Sequence, residues 1–202
     1  MDEALERLAA RLRHDGRKPY IIPGGGSNAL GSLGYVECVR ELQQQCTEMG
    51  LKKPHLVHAT GSAGTQAGLL AGVHALGLGW PITGFGVRAP REAQESKVHA
   101  LALRVLEKLG VQADLARDRV VAHDGFIGAG YGMPTQGMLE AVRLLARTEG
   151  VLMDPVYTGK GMAGMISMLR AGGFEADEDI IFVHTGGSAA LFAYRWAFEE
   201  AA

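Results

Sequence analysis

Four short apolar runs, each followed by a turn and then by a helical pattern, constrain the fold of this chain more than any other feature. His55–Ala59, Ile82–Val87, Val120–His123 and Ile180–His184 read as strands. Helical spacing recurs over Gln66–Leu76, Arg91–Leu109, Gln136–Thr148 and Gly161–Arg170. Ahead of these, residues 3–13 form a short amphipathic pattern, and Pro19–Ile22 look extended. Tyr35, Cys38, Val39, Leu42 and Cys46 then recur at helical intervals. Val151–Asp154 reads as a further strand end meeting Pro155, and a C-terminal helix is expected after Gly186–Gly187. Alternation of this kind predicts an α/β fold, a parallel sheet flanked by helices on both faces. In such sheets ligands gather at the carboxyl ends of the strands.

Glycine supports that placement. There are 29 glycines in 202 residues, about twice the usual share, and they cluster at strand-to-helix junctions. Those junctions are where backbone can approach a ligand closely. The chain is 47% hydrophobic, enough for a sizeable core and against a disordered polymer. Twenty Lys+Arg against 22 Asp+Glu leave a net charge of −2, which gives no basic surplus for nucleic acid or for an anionic membrane. Cys38 and Cys46 share one helical pattern, so they suit a reducing, cytoplasmic setting better than a disulfide framework. The N-terminus is acidic and amphipathic, unlike a signal peptide, and no apolar run reaches membrane-spanning length.

Four segments could carry chemistry. His58–Gly68 (HATGSAGTQAG) is a strand, a Gly/Ser/Thr loop and a helix start. Orphan N–H groups there, with the hydroxyls of Thr60, Ser62 and Thr65, make a phosphate cup, while a plain helix cap is the alternative. The absence of a Walker lysine argues against a nucleoside triphosphate. TGSAG also differs from a nucleophile elbow only at its first position, and Asp154 and His184 follow Ser62 in hydrolase order. Thr60, however, is β-branched where the elbow needs the smallest residue. Pro23–Gly31 (PGGGSNALG) meets a loose dinucleotide pattern but lacks its acidic ribose partner, so it reads as a glycine-rich bend packed under the sheet. Met153–Met165 (MDPVYTGKGMAGM) presents Tyr157 and Thr158 just before a helix, and Phe182–Ala190 (FVHTGGSAA) ends a strand in Thr185 and a Gly-Gly turn. The seven histidines show no metal-ligand spacing, since His55 and His58 point to opposite faces of one strand.

Taken in order, HATGSAGTQAG, IPGGGSNALGSLGYVE, YGMPTQG, DPVYTGKGMAGM and HTGG resemble the D-cysteine desulfhydrase and 1-aminocyclopropane-1-carboxylate (ACC) deaminase group of pyridoxal-phosphate enzymes, from Arg17 to the C-terminus. The resemblance implies the tryptophan-synthase-β-like architecture (fold type II), present here as an incomplete large domain. Residues 23–202 would be that pyridoxal 5'-phosphate-binding domain and residues 1–22 a remnant of the small domain and crossover. It further implies a cytoplasmic homodimer acting on a small amino acid. The loop Thr60, Gly61, Ser62, Ala63, Gly64, Thr65 would hold the cofactor phosphate. Thr185, with Gly186 beside it, would meet the pyridine nitrogen, and Tyr157 and Tyr131 would border substrate as catalytic residues. ACC deaminases of the group carry Glu after the DPVY tyrosine. Thr158 stands there, also among the expected cofactor contacts, and a neutral hydroxyl makes a weaker electron sink that favours β-elimination over ring opening. The implied reaction is D-cysteine to pyruvate, sulfide and ammonia, with L-cysteate sulfo-lyase or ACC deaminase activity as the alternatives within the group.

The chain also departs from that group. The GGNK-like segment that carries the group's Schiff-base lysine, and the QSNH-like segment, do not occur here. None of Lys18, Lys52, Lys53, Lys97, Lys108 and Lys160 follows such a motif. The expectation is therefore the C-terminal part of a longer enzyme, or else a silent remnant that binds phosphate ligands.

Overall fold

A computed structural model describes residues 2–199. Its centre is a four-stranded parallel sheet in the order β3-β2-β1-β4, built from β1 (Pro54–Thr60), β2 (Ile82–Gly86), β3 (Val121–His123) and β4 (Asp179–Phe182). Every residue of β1 and β2 is buried, because helices cover both faces of these inner strands.

On one face lie α2 (Leu33–Met49), α3 (Gly64–Ala75) and α4 (Arg91–Leu109). Their core joins Val39, Leu56, Leu69, Leu70, Leu101 and Val105. α3 packs tightly on α2 because Gly68 and Gly72 face it; a Cβ at Gly68 would stand 2.3 Å from the Ser32 carbonyl oxygen. On the other face lie α5 (Gln136–Thr148) and α6 (Thr158–Arg170), with Met138, Val142, Met153 and Met162 between them. Small residues decide this approach too. A Cβ at Gly161 would lie 3.1 Å from the Ala59 nitrogen, and one at Gly164 would lie 2.2 Å from the Phe85 ring. α6 therefore rests directly on β1 and β2, which brings its N-terminus to the carboxyl end of the sheet.

Most sequence-predicted elements are present within a few residues, and α4 and α5 match their expected spans. His55 bonds Thr83 Oγ1 on the α6 side, and His58 points to the α3 side, so the two histidines do face opposite ways. Three differences are informative. Val151–Asp154 pairs with no strand; the Leu152 carbonyl instead accepts from His184 Nε2 at 3.0 Å, and Asp154 turns back to cap α6. α6 consequently starts at Thr158, three residues before the expected Gly161. The chain after Gly187 is a 3-10 helix, Ser188–Tyr194, and one helical turn, α7 (Arg195–Phe198), because two successive left-handed glycines (φ +88° and +96°) redirect the backbone just before it. The N-terminal helix α1 (Asp2–His14) forms as expected. Among the described residues no helix is long and apolar enough to cross a membrane.

Candidate functional site

The carboxyl end of β1 opens into a cleft of about 280 Å3. Thr60, Gly61, Ser62, Ala63 and Thr65 form one side of it; Tyr157, Thr185, Gly186 and Gly187 form the other, and Gly25 closes the rim. Segments from four distant parts of the chain thus meet at the place where a parallel sheet collects its ligands.

The first wall is backbone. β1 ends at Thr60, and α3 begins four residues later with no side-chain cap on Ala63. Ala63 is the one non-glycine residue with positive φ among those described (+82°), a conformation that costs free energy and recurs at ligand-binding turns. The Gly64 N–H donates to Ser27 Oγ at 3.1 Å, so the GGGS segment braces this helix start. The fit is close: a Cβ at Gly25 would lie 2.5 Å from Ser62 Oγ, and one at Gly64 would lie 2.7 Å from Ser27 Oγ. The segment expected under the sheet therefore sits at the site. Ser27 and Gly25 are functional candidates that sequence spacing did not reveal. Thr60 is buried and its hydroxyl accepts from Gln94 Nε2 at 2.9 Å, which ties the loop to α4.

The second wall is side chain and is organised by Asp154. Its carboxylate accepts from the N–H groups of Val156 (2.8 Å), Tyr157 (2.8 Å) and Thr158 (2.7 Å), and from the Thr158 hydroxyl at 2.7 Å. The Asp154 N–H donates in turn to Thr158 Oγ1 at 2.8 Å. Thr158 is fully buried with both hydroxyl functions spent, so the structure leaves it outside the cleft. The other eight expected cofactor contacts sit at or beside it, with Gly64 held just behind the loop by Ser27.

Tyr157 emerges from this turn beside Gly61, whose Cβ would meet its ring at 3.5 Å. Its hydroxyl is hydrogen-bonded to that of Tyr131, and the two rings stand edge to face, 5.9 Å between centroids. Tyr131 borders the cleft through this contact rather than lining it. The Arg88 guanidinium lies 5.6 Å from the centre of the Tyr131 ring, a neighbour that sequence reading missed although it follows the end of β2. Burial, then the bond to Tyr131, pushes the Tyr157 phenol up to about 12. Tyr157 is therefore protonated at neutral pH and able to donate.

No hydrolase triad assembles. The Asp154 carboxylate is committed to α6. His184 bonds the Leu152 carbonyl through Nε2, and its Nδ1 accepts from the Gly186 N–H at 3.1 Å. Gly187 packs on Asp154, where a Cβ would lie 2.9 Å from the carboxylate carbon, so the HTGG turn and the DPVY turn lock together. No lysine lines the cleft among the described residues. A larger groove of about 550 Å3, on the outer side of α5 and α6 between Leu144, Ile166, Arg147 and Arg170, holds none of these residues.

The comparisons with known proteins point to one family. The family described as pyridoxal-phosphate dependent enzyme matches residues 1–186. A D-cysteine desulfhydrase of Klebsiella pneumoniae is 45% identical over 190 residues, 94% of this chain and 57% of that protein. One from Salmonella newport is 45% identical over 194 residues, 96% of this chain and 58% of that protein. A crystal structure described as an ACC deaminase homologue superposes with a TM-score of 0.88 at 35% identity, over 97% of this chain and 57% of that one. The chain thus spans less than two thirds of the length of these relatives.

Proposed function

The chain belongs to the family of pyridoxal-phosphate-dependent enzymes, and from that premise we propose that it forms the cofactor-holding part of a C–S lyase acting on D-cysteine. The convergence of the Thr60–Thr65 loop, Tyr157, Thr185 and Gly186 on one cleft carries this reading. Bound pyridoxal 5'-phosphate supplies an electron sink for the negative charge developed at the substrate Cα. The phosphate would sit on the N–H groups and hydroxyls between Gly61 and Thr65, at the positive end of α3. Thr185 would meet the pyridine nitrogen, leaving Thr158 to its bonds with Asp154.

The net reaction converts D-cysteine and water to pyruvate, hydrogen sulfide and ammonia. The α-proton leaves Cα, the C–S bond breaks, and the departing sulfur needs a proton. Tyr157, protonated at the wall of the cleft, would give it, with Tyr131 orienting its hydroxyl. Among the described residues no carboxylate side chain lines the cleft, which favours elimination over opening of a cyclopropane ring. Since no lysine lines it either, the lysine that binds the cofactor covalently would come from a segment other than these residues. The free thiols Cys38 and Cys46 support a cytoplasmic setting, and exposed Phe192 and Trp196 support association into a homodimer.

Equilibrium dialysis of the chain against pyridoxal 5'-phosphate tests the site. Reversible retention is expected, with no single lysine trapped by borohydride, and Gly64→Leu should abolish it by driving a side chain into Ser27. Retention unchanged in that variant would refute the loop. The substrate is tested on a fusion with the lysine-bearing segment of a relative. Sulfide from D-cysteine is expected, and sulfite from L-cysteate in its place would reassign it.

A further inference from the structure

We propose that Lys160 is a positioning residue for the Tyr131–Tyr157 pair, tying the loop that carries one tyrosine to the helix that begins at the other. The inference rests on the reading of that pair given above.

Lys160 is fully buried in the first turn of α6, three residues beyond Tyr157. Its Nζ donates to the carbonyl of Ile127 at 2.6 Å and to that of Gly130 at 3.2 Å, and it forms no ion pair among the described residues. Gly130 immediately precedes Tyr131. On the other side, the Gly132 carbonyl accepts from the Tyr194 hydroxyl at 2.7 Å. The carbonyls of the two residues on either side of Tyr131 are therefore held by side chains from elsewhere in the chain.

The loop needs such ties. Between β3 and α5 it makes few backbone hydrogen bonds of its own, and Gly128 and Gly132 both take left-handed conformations. A buried ammonium is a costly way to fill space, and its desolvation lowers the Lys160 pKa from the usual lysine value. A methionine of similar length would pack there without that cost. What only the ammonium provides is a pair of directed donors that fix the carbonyl beside Tyr131 relative to α6, and so fix one hydroxyl against the other. Because Nζ is committed to these carbonyls and does not line the cleft, Lys160 is distinct from the covalent lysine of the reaction.

The test uses the chain without cofactor, so it fails or succeeds independently of the proposed activity. Alkaline absorbance titration should show the Tyr157 phenol late, at about 12, assigned by its disappearance in Tyr157→Phe. Photo-oxidation should yield dityrosine that disappears in Tyr131→Phe. In Lys160→Met, with circular dichroism unchanged, the late phenol should move toward the ordinary value of about 10 and the dityrosine yield should fall to that of Tyr131→Phe. A folded Lys160→Met with the parent titration and yield overturns the proposal. Failure of both Lys160→Met and Lys160→Gln to fold also overturns it, since Lys160 would then serve the core rather than the pair.

Discussion

Two helices begin against the same cleft, and their N-terminal turns are finished in opposite ways. α3 starts on Ala63 with no side-chain cap, and the one bond from a side chain to its first turn is the brace from Ser27 to Gly64. α6 starts over Asp154, which accepts three backbone N–H groups and a hydroxyl. Both ends carry the same orphan donors and the same positive pole of the helix dipole. At α6 the anion is resident, so nothing is left for a ligand and the turn offers a side chain, Tyr157, to the cleft. At α3 no carboxylate caps the turn among the described residues, and what faces the cleft is backbone and small hydroxyls. One helix start is built to hold a residue still, and the other, on the proposed reading, would receive a charged group.

The largest effect should come from the side chain that the closed end presents. Tyr157→Phe, assayed in the fusion, should keep cofactor bound and slow elimination about 10²–10⁴-fold. Unchanged turnover would remove Tyr157 from proton transfer. Opening the closed end comes next. Asp154→Ala strands buried donors and should cost about 3 kcal/mol in urea unfolding, while pyridoxal phosphate retention at α3 changes far less. Equal losses in both would mean that the two ends are not independent.

Acid should act on the strand that leads into the open end. His58 is wholly buried; its Nδ1 donates to the Ala59 carbonyl at 2.8 Å and its Nε2 finds no partner. Burial pushes the imidazole down to about 4 from its usual 6.5. Between those pH values the unfolded chain binds a proton that the folded chain refuses, so stability falls as pH falls through the window, by about 3 kcal/mol at most. Urea midpoints measured across it should show a drop that is smaller in His58→Leu. The smallest effect belongs to a single hydroxyl of the open end: Thr65→Val should weaken phosphate retention by about 1 kcal/mol, roughly fivefold, with stability unchanged.

How much of this was legible beforehand follows from the range of each interaction. The Thr60–Thr65 loop, Tyr157 and Thr185 stand out because glycine-rich strand ends are local patterns, and the family resemblance added their roles. Thr158 shows the limit. Its position beside Tyr157 suggested the cofactor, but a hydroxyl within reach of an aspartate four residues earlier turns inward instead. Ser27 could not be found by spacing, for it acts on a donor 37 residues away. Lys160 is a comparable case, 30 residues from the carbonyl that it engages, whereas Tyr131, 26 residues from the hydroxyl that it meets, was named by the family resemblance and not by spacing.

By itself the sequence determined the alternation of strands and helices, the parallel sheet and the end of that sheet at which ligands collect. Each of these follows from periodicity and from turn chemistry within a few residues. The tertiary structure decided which loops meet. α6 reaches the sheet because Gly161 and Gly164 leave room against Ala59 and Phe85, and the HTGG turn reaches Asp154 because Gly187 has no side chain. It also decided that one helix start goes without a side-chain cap while the other spends its donors on its own aspartate. Those outcomes depend on close approach between residues far apart in the chain, and a local pattern carries no record of such contacts until the chain has folded.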